Sequence, residues 1–138
     1  MAFAVQSIDH VEVFVRDIPG AVRWYGETLG LREMARWDPE PVMIGAGTTM
    51  LALFQARGPE AAGNAGSRPG SPEPGTPPAI RWHRVAWLTD WGGLEEAQRH
   101  LQGLGISFRG PIDHGSTWSI YFQDPDGNPL EITAPVRE

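Results

Sequence analysis

Apolar and polar residues alternate strictly along "HVEVFVRD", which spans residues 10–17. Its three valines would line one face of a β-strand, while His10, Glu12 and Phe14 would line the other. The valine face is the one expected to be buried. The following segment, "IPGAVRWYGETLGL", carries apolar residues at helical spacing and ends in a glycine stop, which predicts a helix after the strand.

The rest of the first half is predicted to add strands. The segment "PVMIGAGTTMLALFQ" is typical of two strands around a glycine turn, and "LREMARW" offers one more. Residues from about 5 to 56 are therefore interpreted as a βαββ module with room for a further strand.

The second half, from about residue 79 to 135, repeats this order. It contains a strand "HRVAWLTD", a helix "GLEEAQRHLQGLG", and strands "STWSIYFQ" and "PLEIT" around the turn "DPDGN", whose Asp-Gly pair is typical of hairpins. Each first strand opens on a histidine with an aspartate seven places later: His10 to Asp17, and His83 to Asp90. The duplication predicts an α+β fold of two modules related by a pseudo-twofold axis, with curved sheets around a shared cleft.

Residues 57–78 separate the modules and consist largely of proline, glycine and alanine. They have too few large apolar side chains to offset the entropy lost on ordering, which predicts a flexible linker. A chain of 138 residues suits one domain that contains both modules.

Composition narrows the chemistry. A formal charge of −6 without a basic cluster argues against nucleic-acid binding. No apolar run approaches the roughly 18 residues of a membrane span and the start lacks a signal-peptide layout, so we expect a cytoplasmic protein that does not enter membranes. The absence of cysteine leaves histidines, carboxylates and hydroxyls as the reactive groups.

Three features carry a family resemblance: the strand with its leading histidine, the helix ending "YGETLGL", and the close "YFQDPDGNPLEIT". They resemble the vicinal oxygen chelate superfamily, which includes glyoxalase I, bleomycin-resistance proteins, fosfomycin-modifying enzymes and extradiol dioxygenases. The resemblance covers nearly the whole chain apart from the linker. It implies one divalent metal ion (iron, manganese, zinc or nickel) held by His10, His83 and Glu131, a small-molecule substrate, and a homodimer. The fourth ligand position falls on Ala52, which cannot coordinate.

This ligand set is chemically coherent, because two imidazoles and one carboxylate leave coordination positions open for substrate oxygens. Strand parity agrees for Glu131: with Leu130 and Ile132 toward the core, its side chain faces the opposite side. The alternative for Glu131 is a solvated carboxylate on an edge strand.

The orientation of His83 has two alternatives. If His83 points into the cleft, Arg84 faces the core, which is unfavourable for a permanent charge. A shift of one residue instead places Val85 and Trp87 on the core face and Arg84 in the cleft, and a bulge would reconcile the two. We keep His83 as a predicted ligand because it shares the seven-residue spacing with His10.

His114, in "DHGSTWSIYF", resembles the histidine of the "HG" loop of extradiol dioxygenases, which handles protons beside the substrate; the alternative is a loop histidine without a role. Tyr121 and Ser119 share strand parity, and either could donate a hydrogen bond to a substrate oxygen. His114 and Tyr121 are the candidate catalytic residues. The candidate substrate-binding residues are Glu12, Phe14, Trp87 and Ser119.

The expected function is that of a divalent-metal-dependent enzyme, dioxygenase-like or lyase-like, in which the metal gathers two neighbouring substrate oxygens as a Lewis acid. Alanine at position 52 resembles the three-ligand arrangement of dioxygenases and fosfomycin enzymes, which disfavours glyoxalase activity. The alternative is a metal-free protein that sequesters a small molecule, as bleomycin-resistance proteins do. The six tryptophans support that alternative, as does the charge that Arg84 would bring to the core if His83 were a ligand.

Overall fold

The computed structural model describes residues 4, 6, 8–57 and 84–136. Most of the predicted linker, together with Trp82 and His83, lies outside these residues. The described chain forms two compact units, each with one helix and one four-stranded sheet. This confirms the predicted α+β fold of paired modules, and in each module the order is βαβββ.

The elements of the first unit are β1 (Val11–Val15), α1 (Ile18–Leu29), β2 (Arg32–Arg36), β3 (Val42–Ala46) and β4 (Thr49–Gln55). The additional strand that the segment "LREMARW" predicted is present as β2. The first and last strands pair in parallel and the remaining pairings are antiparallel, in the order β1-β4-β3-β2.

The elements of the second unit are β5 (Val85–Leu88), α2 (Trp91–Gly103), β6 (Arg109–Asp113), β7 (Thr117–Gln123) and β8 (Pro129–Pro135). This unit repeats the topology of the first in the order β5-β8-β7-β6, again with a parallel pairing between its first and last strands. The pattern gave no strand at β6, because the dipeptide Gly110-Pro111 interrupts the alternation and the ladder shifts register there.

Each core lies between a helix and one face of its sheet. In the first unit Val15, Leu51 and Leu53 are buried, as is Tyr25 of α1. The valine face of β1 is thus directed at the core, and its burial is complete at Val15. In the second unit β8 alternates between buried and half-buried residues, and α2 contributes two leucines to its core. The alternation in β8 fixes which side chains face away from α2.

The tryptophans of the described residues are half-buried or exposed. None of the five within the described residues belongs to the fully buried core, and Trp37 is 57% exposed. Within the described part of the chain, no helix combines the length and the apolar character that crossing a membrane requires.

Candidate functional site in the second sheet

A row of side chains crosses the second sheet on the face away from α2. Cross-strand pairing joins Arg109 of β6 to Tyr121 of β7, Tyr121 to Glu131 of β8, and Glu131 to Ala86 of β5. Paired residues share a face of the sheet. Both neighbours of Glu131 in β8 are buried on the opposite face. An arginine, a tyrosine and a glutamate therefore lie side by side on the face away from α2, which we call the outer face of this sheet.

The register of β5 brings another cation to this face. Val85 pairs with Leu130 on the helix side of the sheet, and Trp87 pairs two residues further along β8. Alternation along the strand then places Arg84 on the same face as Glu131. The structure thus adopts the alternative register, in which Val85 and Trp87 face the core. The guanidinium of Arg84 accordingly lies over a ring on the outer face.

Comparison of the two modules shows which residues correspond. Val11 begins the pairing of β1 with β4, and Val85 begins the pairing of β5 with β8. The residues just before them, His10 and Arg84, therefore occupy corresponding positions. The shared seven-residue spacing from histidine to aspartate does not identify this correspondence, because β1 has five residues and β5 has four. His83 lies outside the described residues, and its role stays a prediction.

Tyr121 is held by three polar side chains. Its phenol oxygen shares a hydrogen bond of 2.5 Å with Nε2 of His114, and the two rings are nearly perpendicular. The guanidinium carbons of Arg84 and Arg109 lie 4.5 and 5.0 Å from the centre of the tyrosine ring, within cation–π range. The fold thus brings together the two candidate catalytic residues and surrounds them with positive charge.

A pocket of about 370 Å³ opens beside this ring. Two arginines and the tyrosine lie along it on the face away from α2, whereas Phe122 and Leu130 border it although they pair with each other on the helix side of the sheet. Its lining consists of Arg84, Arg109, Tyr121, Phe122, Gln123, Pro129 and Leu130. Its volume is within the roughly 300–1,000 Å³ typical of small-molecule sites.

The candidate substrate-binding residues differ in burial and in the face of the sheet on which they lie. Ser119 is fully buried, and its hydroxyl donates a 2.9 Å hydrogen bond to Oγ1 of Thr133, so it is engaged inside the protein. Trp87 is on the helix side, and its Nε1 is buried without a hydrogen-bond partner among the described residues. Phe14 is 50% exposed on β1, on the face that also carries Glu12.

His10 is engaged by carboxylates of its own segment. Its Nδ1 lies 2.9 Å from Oδ2 of Asp9, and its Nε2 lies 3.1 Å from Oε2 of Glu12. The hydrogen bond to Asp9, and then that to Glu12, raises the pKa of His10 above its usual range, because both carboxylates favour the charged imidazolium.

The described residues do not fit the metal ion that the resemblance implies. Of the four corresponding strand positions, His10 and Glu131 carry donor atoms, whereas Ala52 carries none. Arg84 presents a cation without a lone pair for coordination. Within residues 8–57 and 84–136, no three histidines or carboxylates gather into a group able to hold a metal. The described ligand set is incomplete.

Comparison with known proteins decides the family. The family model of the Glyoxalase/Bleomycin resistance protein/Dioxygenase superfamily matches residues 7–132, nearly the whole chain. The chain belongs to this superfamily. The superfamily includes enzymes, and its members commonly use a divalent metal ion and act on small molecules, so the departure at Arg84 and Ala52 bears directly on function.

Two curated members of the superfamily resemble parts of the chain. Biphenyl-2,3-diol 1,2-dioxygenase 2 of Rhodococcus globerulus is 43% identical over 61 residues, which are 44% of this chain and 32% of that protein. Biphenyl-2,3-diol 1,2-dioxygenase 3 of the same organism is 30% identical over 129 residues, which are 89% of this chain and 60% of that protein. The chain thus spans about a third and three fifths of the lengths of these relatives.

Solved structures of the superfamily share the fold at low identity. An antibiotic binding protein from a Streptomyces species superposes with a TM-score of 0.70 at 23% identity, over 97% of this chain and 99% of that one. Lactoylglutathione lyase from Agrobacterium tumefaciens gives 0.68 at 20% identity, over 94% of each chain. These likenesses establish the fold.

Arg109 is the residue of this site that sequence reasoning missed. It opens β6, the strand that the pattern did not predict, and its pairing with Tyr121 depends on that strand. The local signal that could have found it is the arginine placed directly before "GPIDH", since the histidine of that segment was already a candidate.

Proposed function

We propose that this chain is a binding member of the superfamily, which takes up a small organic molecule without a metal ion. The observation that carries the proposal is the register of β5, which gives Arg84 the position that His10 has in the first module. A guanidinium cannot coordinate a metal, and its permanent charge repels a divalent cation.

The pocket beside Tyr121 supports this proposal. Its volume suits a small organic molecule, and its two arginines and tyrosine are polar groups of the kind that orient a bound ligand. Its lining belongs entirely to the second unit.

Metal analysis of protein purified without a histidine tag tests the proposal. The protein would be incubated separately with Fe²⁺, Mn²⁺, Zn²⁺ and Ni²⁺ and then desalted. We expect far less than one ion retained per chain. Retention of about one ion, abolished by His83→Ala, would overturn the proposal and establish the ligand set that includes His83.

A second candidate is a metal-dependent enzyme of the dioxygenase or lyase type. The hydrogen bond between His114 and Tyr121 favours it, because a histidine paired with a phenol can accept a substrate proton and return it. The names of the two curated relatives agree with this candidate.

Turnover of a panel of catechols by anaerobically iron-loaded protein tests this candidate. If the protein is such an enzyme, His114→Ala should lower turnover about a hundredfold, the usual effect of a positioned acid or base. His100→Ala, on the exposed side of α2, is the matched control and should change nothing. Absence of turnover on every catechol would remove the dioxygenase form of this candidate.

A further inference from the structure

We propose that the pocket beside Tyr121 is selective for small organic acids, whose anionic group is held by Arg84 and Arg109. This inference rests on the proposed function, because it names the chemical class of the ligand for the same pocket. The charges, the geometry and the lining of the pocket each contribute to it.

The two guanidinium carbons lie within 5.0 Å of one ring centre, so two positive charges share the edge of a single pocket. Guanidinium groups are planar and donate paired hydrogen bonds to carboxylate and phosphonate oxygens. Arg109 is exposed and forms no ion pair with a carboxylate of the described residues. A bound anion would supply the counter-charge.

Glu131 is the carboxylate of this row, and it pairs with Tyr121 of β7 and with Ala86 of β5. Arg109 lies on the far side of Tyr121 from it, and the guanidinium of Arg84 lies over the tyrosine ring. The anionic group of a ligand should therefore lie toward the two guanidinium groups at the ring, and its body should extend away from Glu131.

Gln123 and Pro129 complete the pocket on this face, since they pair with each other on the side of the sheet that carries Tyr121 and Glu131. Phe122 and Leu130, which are 6% and 1% exposed, pair on the opposite face, toward α2. A ligand whose body reaches half-buried Pro129 while its acid group reaches the guanidinium groups would occupy the pocket. The hydrogen bond between His114 and Tyr121 holds the phenol in place.

Calorimetric titration of the full-length, untagged protein with three probes of similar shape tests the inference. Benzoate and phenylphosphonate carry an anionic group, and benzamide is neutral. We expect at least one of the two anions to bind about tenfold or more tightly than benzamide, since charge-assisted hydrogen bonds are the stronger ones. The stronger of the two anions distinguishes a carboxylate ligand from a phosphonate or phosphate ligand.

Arginine variants locate the interaction. Arg84→Gln and Arg109→Gln should each weaken binding of the preferred anion about tenfold or more. Arg99→Gln, on the exposed side of α2, is the matched control and should bind as the parent does. Circular dichroism establishes that each variant is folded, and the comparison of benzoate with benzamide on the parent protein does not depend on any variant.

Three outcomes would overturn the inference: equal binding of benzamide and the anions, an equal loss in Arg99→Gln, or no binding of any probe. The outcomes for the proposed function are distinguishable from these. Anion binding by protein that also retains one metal ion per chain would support this inference and overturn metal-free binding, whereas equal binding of neutral and anionic probes by metal-free protein would do the reverse.

Discussion

At position 84 a guanidinium takes the place that an imidazole takes in the first module. Both groups can be cationic, but imidazole loses its proton near neutral pH and offers a lone pair, whereas guanidinium does neither. One residue therefore separates a strand that can contribute a metal ligand from one that can only attract anions. Ala52, which corresponds to Glu131, likewise offers no metal ligand at its strand position.

Replacing Arg84 with histidine tests this reasoning directly. We expect Arg84→His to retain more metal than the parent, because an imidazole at position 84 would lie on the same face of the second sheet as Glu131, one strand away. Mass spectrometric metal analysis after desalting is the measurement. Arg99→His adds a histidine on exposed α2 and should gain nothing; an equal gain in both variants would refute the assignment of position 84.

The two helices begin differently, although both follow an aspartate. Oδ1 of Asp90 accepts a 2.7 Å hydrogen bond from the backbone N–H of Gly93, whereas the side chain of Asp17 makes no capping hydrogen bond to the described residues. A side-chain cap satisfies one of the otherwise unpaired N–H groups of the first turn. The repeated aspartate thus has the same place in both modules but different contacts.

We predict that Asp90→Ala lowers the free energy of unfolding by about 1 kcal/mol, the usual effect of losing an N-cap. Asp17→Ala should lower the free energy of unfolding clearly less, which makes it the matched control. Urea unfolding followed by circular dichroism measures both. Equal losses would mean that the capping hydrogen bond of α2 does not account for the effect.

Glu40, two residues before β3, contacts the last residue of β4 and Arg57 just beyond it. Its Oε2 accepts a 2.6 Å hydrogen bond from the backbone N–H of Gln55, and its Oε1 lies 2.8 Å from Nη1 of Arg57. The guanidinium, and then the backbone donor, lowers the pKa of Glu40 below its usual value of 4.5, because both stabilise the carboxylate.

The lowered pKa gives a pH dependence of known sign. The contribution of Glu40 to stability is fully present above pH 4.5 and is lost as the pH falls through the lower folded pKa. Glu40→Gln should therefore destabilise the protein at pH 7, and the difference from the parent should shrink as the pH is lowered to 3, because protonation of Glu40 removes the charge that distinguishes it from glutamine. Urea unfolding at both pH values, with exposed Glu96→Gln as the control, measures this; a difference that grows in acid would contradict it.

At the scale of the whole molecule, the chain repeats one βαβββ unit and joins the copies through a segment rich in proline and glycine. Each unit has its own sheet, helix and buried residues. The residues that line the site described above all belong to the second unit.

Deleting residues 62–72 should therefore leave both stability and ligand binding nearly unchanged. Loop-closure entropy varies slowly with length, so the free energy of unfolding should change by less than about 1 kcal/mol. Unfolding in urea and benzoate titration are the measurements, with a Gly-Ser replacement of equal length as the control. Loss of binding in the shortened chain alone would assign this segment a part in the site.

The sequence by itself determined the duplicated module, the order of most strands and both helices. Those features depend on periodicity within a short stretch, as in the alternating valines of β1 and the apolar stripe of α2. It also directed attention to Tyr121 and Glu131 through their parity along single strands, which is a local property, and to His114 through the resemblance of its loop.

Only the tertiary structure decided which residues meet. The seven-residue spacing to Asp90 favoured His83, but the pairing of Val85 with Leu130 is what orients Arg84, and that pairing involves a strand more than forty residues away. In the same way β6 is held by β7 in spite of the break at Gly110-Pro111, and this brings Arg109 to Tyr121. Register is set by non-local hydrogen bonds and burial, and a shift of one residue exchanges the two faces of a strand, so local pattern alone left the chemistry of this site open.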